Sequence, residues 1–532
     1  MSSRSINGIV VVVALVVVEA AVLLPVVVVK VRTSSSGYTC SRVFTRGRLK
    51  PKWPCSSCIV RTLPHIRQFG QPAAQTHPHL IAEGEVTPGL TVKEFHTRRC
   101  NLVRSALKVF QGVKSTEHHL FIFPSVTTSF MTNDIPYVFR QNTDFLYLCG
   151  FQEADSLLLI KAKSSSIATG DHESILFVPR KDAAKELWDG PRSGATGATA
   201  ITGVDAAFNS NEVEKYLQFY NKDHKNYVLW YNHSQPVHAD FNNRVVAQLM
   251  QDKRHKCVEN PTNLMHRLRV LKSPAEVSLM QQSVDIASAA FIDVMKFSKP
   301  MINEAQIWAK MDFECRMRGA QILAYPPVVA GGARANIIHY ITNNQVVKDG
   351  EMVLMDAGCE LHGYTSDLTR TWPVSGCFTE PQKQLYNATL HVQEECIKLC
   401  TQAYTLDEMF THMLCLLAEE LLKLGIISPD TTPSQQINLA RKFCPHHVSH
   451  YLGMDVHDTS SVSRSMKLQP NMVVTVEPGI YIPSDDYTVA PEYRGMGIRI
   501  EDNILVTKSK PVNLSASCPK QVEEIEELIS TG

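Results

Sequence analysis

Between residues 71 and 255, short apolar runs alternate with polar segments. The apolar runs have the length and the aliphatic or aromatic content of strands, and the polar segments are long enough for helices. The pattern predicts strands at 120–123, 145–148, 157–160 and 175–178 and helices at 92–109 and 211–220. The segment 193–202, rich in glycine, alanine and threonine, is predicted to be a loop. Alternating strands and helices are typical of an α/β domain.

The sequence Leu271-Lys-Ser-Pro-Ala-Glu marks the start of a second domain. Ser273 is placed as the N-cap of a helix, Pro274 as its first residue, and Glu276 completes a capping box. Apolar residues then recur at helical spacing as far as Phe291. We expect three parts: an N-terminal segment at 1–70, an α/β domain at 71–255 and a second domain at 256–532.

The stretch 352–372 reads as a hairpin, because two apolar strands flank a turn that contains glycine. Each strand includes an aspartate, Asp356 and Asp367, and the two are 11 residues apart, close enough to meet across the pair. Buried carboxylates require cations or protons. Taken alone, the stretch fits equally well one aspartate in solvent and one in a turn.

Two further stretches favour a metal site. Residues 446–458 contain four histidines in an apolar setting, including His450 and His457, and the strand-like segments 473–482 and 497–506 include Glu477 and Glu501. Four carboxylates and one imidazole fit a buried cage for two divalent metals. This donor chemistry favours Mn²⁺, and Zn²⁺ or Co²⁺ would also fit.

Composition sets broader limits. Of 532 residues, 44% are hydrophobic and 20% charged, which excludes a disordered or collagen-like chain. The net charge of +1 gives no reason to expect a nucleic-acid partner. The charge is unevenly spread, however, because residues 1–82 contain ten lysines and arginines and a single acid, Glu19. We therefore interpret the basic front as a targeting segment.

Two signals in the N-terminal segment conflict. The apolar run 9–29 is long enough to span a bilayer and would then contact the membrane as an anchor. The following stretch, which is rich in serine and arginine, is typical of an organelle transit peptide. We favour mitochondrial import; a membrane anchor, an incorrectly assigned first exon and an additional cytoplasmic location are the alternatives. The pair Cys55 and Cys58 lacks the second pair that a zinc site needs.

Four motifs stand out along the chain: Asp356…Asp367, His446-x-x-x-His450…Val-His457-Asp, Glu477-Pro-Gly-Ile-Tyr and Arg499-Ile-Glu501-Asp. Through these motifs and the segments 145–151, 186–192 and 324–332, the sequence from about Gln71 to the C-terminus resembles the pita-bread metallopeptidases. Within them it resembles the Xaa-Pro aminopeptidases (aminopeptidase P), including a eukaryotic mitochondrial member. The resemblance implies an α/β N-terminal domain of creatinase type, a pita-bread catalytic domain of two pseudo-symmetric α+β halves, and a homodimer.

The resemblance also implies residue roles. The predicted metal ligands are Asp356, Asp367, His450, Glu477 and Glu501. The predicted catalytic residues are Glu477 as proton shuttle, His457 as hydrogen-bond donor to the oxyanion, and His339 near the scissile bond. The residues predicted to contact the substrate are Tyr325, His446, His457, Tyr481 and Arg499, with Arg499 also pairing with a ligand carboxylate. The implied reaction removes the first residue of peptides with proline second, through attack by a hydroxide held between the two metals.

Three other functions are alternatives to this one. A prolidase-like dipeptidase would share the cage, but the matches at 186–192 and 325–332 argue against it. A methionine aminopeptidase would not need the preceding domain. A metal-free scaffold protein is disfavoured by the five intact ligand positions.

Overall fold

The computed structural model describes residues 5–6, 9–10, 69–111, 117–224, 226–251 and 257–531. The chain divides into two compact units, residues 1–65 and 66–532. In the first unit, strand β1 (Ser5–Ile6) pairs with β2 (Ile9–Val10). The rest of the apolar run 9–29, almost all of the basic segment 1–70, and Cys55 and Cys58 lie outside the described residues. Within the described ranges, no helix combines the length and the apolar composition needed to cross a membrane.

The first part of the second unit is built on a six-stranded sheet. The strands of this part are β3 (Glu85–Thr87), β4 (Leu90–Thr91), β5 (His118–Pro124), β6 (Leu157–Lys163), β7 (His172–Val178), β8 (Ala206–Asn209), β9 (Tyr227–Trp230) and β10 (Cys257–Glu259), of which β3 and β4 form a separate pair. The order in the six-stranded sheet is β10-β9-β5-β6-β7-β8. Strands β5, β6 and β7 are antiparallel neighbours, whereas β9, β10 and β8 join the sheet in parallel. The helices are α1 (Val92–Val109), α2 (Thr143–Cys149), α3 (Ala183–Asp189), α4 (Gly194–Thr202), α5 (Val213–Asp223), α6 (Ala239–Phe241) and α7 (Ala247–Gln251), with 3₁₀ turns at Ser164–Ile167 and Ser210–Glu212 and a π turn at Asn242–Val246.

Most of the predicted elements of this part are confirmed. The predicted strands 120–123, 157–160 and 175–178 lie in β5, β6 and β7, and the predicted helices correspond to α1 and α5. The prediction of a strand at 145–148 is wrong, because these residues belong to α2. The side chain of Asn142 caps that helix by accepting from the backbone N–H of Phe145, and Gly150 ends it in the left-handed conformation.

The prediction of a loop at 193–202 is also wrong. Residues 194–202 form α4, in spite of the weak helix propensity of glycine. Packing explains the difference: a Cβ atom added at Gly197 would lie 3.0 Å from the ring of Phe69. The small residues let this helix pack closely against its neighbours, and burial outweighs local propensity.

The second part of the unit contains several small antiparallel sheets surrounded by helices. Its strands are β11 (Ile322–Leu323), β12 (Val328–Gly331), β13 (Met352–Ala357), β14 (Cys359–Leu361), β15 (Tyr364–Thr365), β16 (Leu368–Pro373), β17 (Val473–Val476), β18 (Gly479–Tyr481), β19 (Gly497–Arg499), β20 (Asp502–Leu505) and β21 (Val512–Asn513). Its helices are α8 (Thr262–Arg269), α9 (Pro274–Phe297), α10 (Glu304–Met317), α11 (Glu380–Lys398), α12 (Leu406–Lys423), α13 (Pro433–Phe443) and α14 (Val522–Ser530), with 3₁₀ turns at Gly332–Asn336 and Pro491–Tyr493.

The predicted capping box at the start of α9 is confirmed. The hydroxyl of Ser273 accepts from the N–H of Glu276, and the Glu276 carboxylate accepts from the N–H of Ser273. The predicted class, α/β followed by α+β, is also confirmed. Strands β12, β13 and β16 form one sheet, and β17, β20 and β21 form another. A backbone bridge between Thr369 and Glu501 joins the two sheets and brings their polar residues together.

Candidate metal centre

Asp356 and Asp367 come together through the pairing of β13 with β16. Asp356 lies opposite Thr369 in this ladder, and Asp367 is the residue before β16. The connection is longer than the predicted turn, because β14 and β15 form a second small hairpin inside it. Gly358 allows the backbone to pass close to Ser366, because a Cβ atom at this position would lie 1.8 Å from the carbonyl oxygen of Ser366.

His450 and Glu477 are placed by a second pair of segments. Glu477 follows β17, and its N–H donates to the carbonyl of Val448 at 2.9 Å. The Nε2 atom of His450 lies 3.5 Å from Oε1 of Glu477 and 3.3 Å from Oδ2 of Asp367. Its Nδ1 lies 3.2 Å from the carbonyl of Tyr451, so the ring can donate there and keep Nε2 as the ligating nitrogen.

Glu501 lies between β19 and β20, where the backbone bridge to Thr369 holds it beside the aspartates. The hydroxyl of Thr369 donates to Oε2 of Glu501 at 2.7 Å. Ligating atoms of Asp367, His450 and Glu501 lie within 4.8 Å of one another. Both sheets therefore supply donor atoms to one small volume.

Arg499 and Tyr325 hold Asp356 from two sides. Nη2 of Arg499 donates to Oδ2 of Asp356 at 2.7 Å, the type of pairing expected from the sequence. The Tyr325 hydroxyl lies 2.5 Å from Oδ1 of Asp356 and also contacts Oδ1 of Asp367, so its single proton can be donated to either carboxylate. Nη1 of Arg499 donates to the hydroxyl of Tyr481 at 2.7 Å, and that hydroxyl is 2.9 Å from Nε2 of His446. These contacts fix the orientation of the carboxylates.

A cavity of about 750 Å³ opens onto the cluster. Its walls include all five predicted metal ligands, together with four of the other predicted site residues: His339, His446, His457 and Arg499. Tyr481 and Tyr325 are not among the lining residues. Tyr481 is buried in an apolar cluster that includes Val328 and Ala330, so its position does not favour direct substrate contact.

Burial and mutual repulsion determine the electrostatics of the cluster. Burial, reinforced by Asp367, raises the pKa of Glu477 to about 7. For the same two reasons, the pKa of Glu501 lies well above its usual range, and burial also raises the pKa of Asp356. Burial would lower the pKa of His450, but Asp367 and Glu477 raise it to about 9. The carboxylates repel one another in a place that water screens poorly, and cations relieve that repulsion.

The donor set fits divalent metal ions. Four carboxylates and one imidazole surround the same space, and the imidazole presents its Nε2 toward two of the carboxylates. Hard oxygen donors with a single nitrogen suit Mn²⁺, and Zn²⁺ accepts the same ligands.

The described residues also include a second group of possible metal-binding type, His96, Cys100 and His172. There the buried guanidinium of Arg99 donates to Nε2 of His172 at 3.2 Å, which opposes a cation.

Two residues that hold the ligands were not predicted from the sequence. Thr369 accepts from Nε of Arg499 at 3.2 Å while donating to Glu501. The side chain of Asn503 bonds the backbone of Asp367 at both its N–H and its carbonyl. Thr369 is two residues after Asp367, and Asn503 is two residues after Glu501. Side chains two residues apart in a strand lie on the same face, and this spacing is the sequence signal that could have identified them.

Comparisons with known proteins agree with this geometry. Residues 278–508 match metallopeptidase family M24, and residues 95–230 match the aminopeptidase P N-terminal domain. The chain is 47% identical to mouse Xaa-Pro aminopeptidase 3 over 495 residues, which cover 91% of this chain and 96% of the mouse protein. It is 37% identical to the Arabidopsis thaliana protein "intermediate cleaving peptidase 55, mitochondrial" over 465 residues, 87% of this chain and 88% of that protein.

A solved structure is similar over most of the chain. Proline aminopeptidase P II from Yersinia pestis superposes with a TM-score of 0.75 at 31% identity and covers 83% of this chain and 100% of its own. The resemblance inferred from the sequence motifs is therefore confirmed: the chain belongs to metallopeptidase family M24 and, within it, to the Xaa-Pro aminopeptidases.

Proposed function

We propose that this protein is a metal-dependent aminopeptidase that removes the N-terminal residue from peptides with proline in the second position. The observation that carries the proposal is the convergence of four carboxylates and one imidazole on the wall of a single cavity. Membership of family M24 and the similarity to Xaa-Pro aminopeptidase 3 support it.

The proposed metal ligands are the five residues of the cluster. Asp356 and Asp367 would bind the first metal, with Asp367 bridging to the second; His450 and Glu477 would bind the second, and Glu501 would form the other bridge. The oxygen-rich donor set favours Mn²⁺. Two bound ions would supply a water of lowered pKa and would polarise the scissile carbonyl.

Glu477 and His457 are the proposed catalytic residues of the chain itself. The Glu477 carboxylate lies on the cavity wall, where it can accept a proton and donate it again. Glu477 takes the proton of the attacking water and gives it to the proline nitrogen as that nitrogen leaves. His457, which lines the cavity beside His450, donates a hydrogen bond to the oxygen of the scissile carbonyl as negative charge develops there.

The remaining residues of the site receive positioning or binding roles. His339 and His446, on the cavity wall, are proposed to contact the substrate around the scissile bond and the proline. Tyr325 and Arg499 are proposed to act mainly by orienting Asp356. Tyr481 is proposed to act through His446 and Arg499, because it lies behind them.

A comparison of three substrates tests the proposal. Protein loaded with Mn²⁺ is incubated with Ala-Pro-Phe, Ala-Ala-Phe or the dipeptide Ala-Pro, and free alanine is measured. We expect release from Ala-Pro-Phe only. A preference for the dipeptide would identify a prolidase, and no release from any substrate by metal-loaded protein would favour the non-catalytic scaffold.

Three features of organisation are further proposals. The first domain boundary is placed at 70/71, as predicted from the sequence. The second is moved from the predicted 255/256 to just after β10 (Cys257–Glu259), because that strand pairs with β9 of the first sheet. Limited proteolysis tests both boundaries. A homodimer is expected in sedimentation experiments. Mitochondrial import is supported by the basic composition of residues 1–82 and by the name of the Arabidopsis relative, a mitochondrial peptidase. A fluorescent reporter fused to residues 1–80 should be imported and cleaved, whereas an uncleaved product resistant to carbonate extraction would indicate an anchor.

A further inference from the structure

The loop 453–459 carries His457 but gives its imidazole no direct support. In the described part of the chain, that side chain makes no hydrogen bond, and its only ring contact is with His450, with centroids 4.5 Å apart. A group that must donate to a reacting carbonyl has to be held within a fraction of an ångström. The position of this imidazole therefore depends on the backbone of its loop.

That backbone is fixed by a group of six charged side chains, which we name the ion cluster: Arg140, Asp144, Arg269, Lys272, Asp455 and Asp458. Its centre is Arg269, whose Nη2 donates to Asp458 and lies 2.7 Å from Oδ2 of Asp455. Its Nη1 lies 2.7 Å from Oδ1 of Asp144. Lys272 adds a contact of 3.4 Å to Asp458. Three cations balance three carboxylates.

The ion cluster is buried where it meets the loop. The side chains of Asp458 and Lys272 are 1% exposed, and that of Arg269 is 4% exposed. Asp458 directly follows His457 in the chain. Breaking a buried ion pair leaves an uncompensated charge, so the low-energy arrangement of this loop is the one that keeps the pairs.

The other side of the ion cluster comes from the part of the chain built on the six-stranded sheet. Asp144 is in the first turn of α2. Arg140, shortly before it, donates from Nη2 to the carbonyl of Met454 at 2.7 Å and to Oδ1 of Asp455 at 3.1 Å. The Arg140 Nε also donates to Oε2 of Glu360, on β14, at 2.6 Å. Arg140 thus ties the loop to the same strand pair that joins Asp356 to Asp367.

We propose that the ion cluster is a positioning device for His457: it holds the loop 453–459 against α2 and β14 so that the imidazole faces the scissile carbonyl. The inference rests on the proposed role of His457. Arg140, Asp144 and Arg269 would then contribute to catalysis indirectly, although none of them contacts the reacting groups.

A double-mutant cycle that combines Arg140→Met with His457→Ala tests this inference. Arg140 is chosen because its side chain is 38% exposed, so that its replacement endangers folding less than Arg269→Met would. We expect kcat/KM for Ala-Pro-Phe to fall about tenfold, mainly in kcat, and the same change to cost less than about twofold in a His457→Ala background. Mn²⁺ affinity, measured by calorimetry, should not change. The matched control is Arg318→Met, which removes ion pairs to Glu314 and Asp293. None of these three residues lines the cavity, so kcat/KM should stay unchanged.

Equal losses in both backgrounds would show that the ion cluster contributes only stability, and an unchanged kcat/KM in Arg140→Met would exclude a positioning role. A crystal structure of Arg140→Met gives a readout that does not need activity: we expect the His457 ring to move by about 1 Å or more while His450 stays in place. Inactive wild-type protein would count against the proposed function, whereas an unmoved His457 would overturn this inference alone.

Discussion

Asn503 and Asp367 are joined by two hydrogen bonds that use both ends of one carboxamide. The Asn503 Oδ1 accepts from the N–H of Asp367 at 3.1 Å, and Nδ2 donates to the Asp367 carbonyl. Both residues are buried, and they are 136 positions apart in the sequence. This pairing fixes the backbone from which a proposed bridging ligand projects.

Replacing Asn503 by alanine should therefore weaken metal binding. Residues that orient ligands typically contribute ten- to a hundredfold to metal affinity. We expect Asn503→Ala to lower Mn²⁺ affinity by about tenfold or more in calorimetry while its far-ultraviolet circular dichroism stays native. The exposed Asn344→Ala serves as the control and should bind as the wild type does; equal affinities for both variants would contradict the role assigned to Asn503.

Glu477→Gln should remove the proton shuttle while nearly preserving side-chain volume. Because Glu477 is also a proposed metal ligand, kcat is compared at saturating Mn²⁺. General acid–base catalysis contributes about 10²–10⁴-fold, so we expect kcat for Ala-Pro-Phe to fall at least about a hundredfold. Asp349→Asn, on an exposed loop before β13, is the control and should keep wild-type activity. Retention of more than about a tenth of kcat in Glu477→Gln would assign the shuttle to another group.

Gly358→Ala should disrupt the strand pair that carries the aspartates. The added Cβ would meet the backbone oxygen of Ser366, which cannot move without shifting Asp367. We expect loss of Mn²⁺ binding and a clear fall in Tm. At Gly350 a Cβ would meet open space at a φ of +80°, so Gly350→Ala should cost only about 1 kcal/mol and still bind metal. Normal binding by Gly358→Ala would disprove the close approach.

His119 should make stability depend on pH far from the site. Burial lowers the pKa of this histidine to about 4, and Nδ1 accepts from Nε1 of Trp230 at 3.1 Å. In the unfolded chain the His119 imidazole binds a proton near pH 6.5, whereas in the folded chain it stays neutral until about pH 4. The free energy of unfolding therefore falls as the pH decreases from 6.5 toward 4. The loss between pH 7.5 and 5 is about 2 kcal/mol, since one pKa unit corresponds to about 1.4 kcal/mol.

Urea unfolding at pH 7.5 and pH 5 measures this effect. His119→Gln, whose amide oxygen can still accept from Trp230, should lose about 2 kcal/mol less than the wild type over that interval. The exposed His412→Gln should keep the wild-type dependence. A His119→Gln protein with an unchanged pH dependence would show that His119 is protonated in the folded state.

The features that could be predicted from the sequence are those with a strong local pattern. Asp356 and Glu477 stood out because acids interrupt apolar strands, and the capping box at Ser273 is a contiguous signal. The run 145–148 was misassigned because four apolar residues carry no period that separates strand from helix. The contacts of Asn503 with Asp367, and of Arg140 with Asp455, join segments more than 130 residues apart. Only the tertiary fold creates them, so no local pattern could have revealed them.

A titration of metal-free protein with Mn²⁺ tests the two-metal centre most directly. Metal binding is measured by calorimetry, and the release of alanine from Ala-Pro-Phe is measured in the same samples. The five-residue cluster predicts two Mn²⁺ ions bound per chain, activity that reaches its maximum only when both are bound, and loss of both properties in Asp367→Ala. A single ion at full activity, or undiminished hydrolysis by Asp367→Ala, would contradict the two-metal centre.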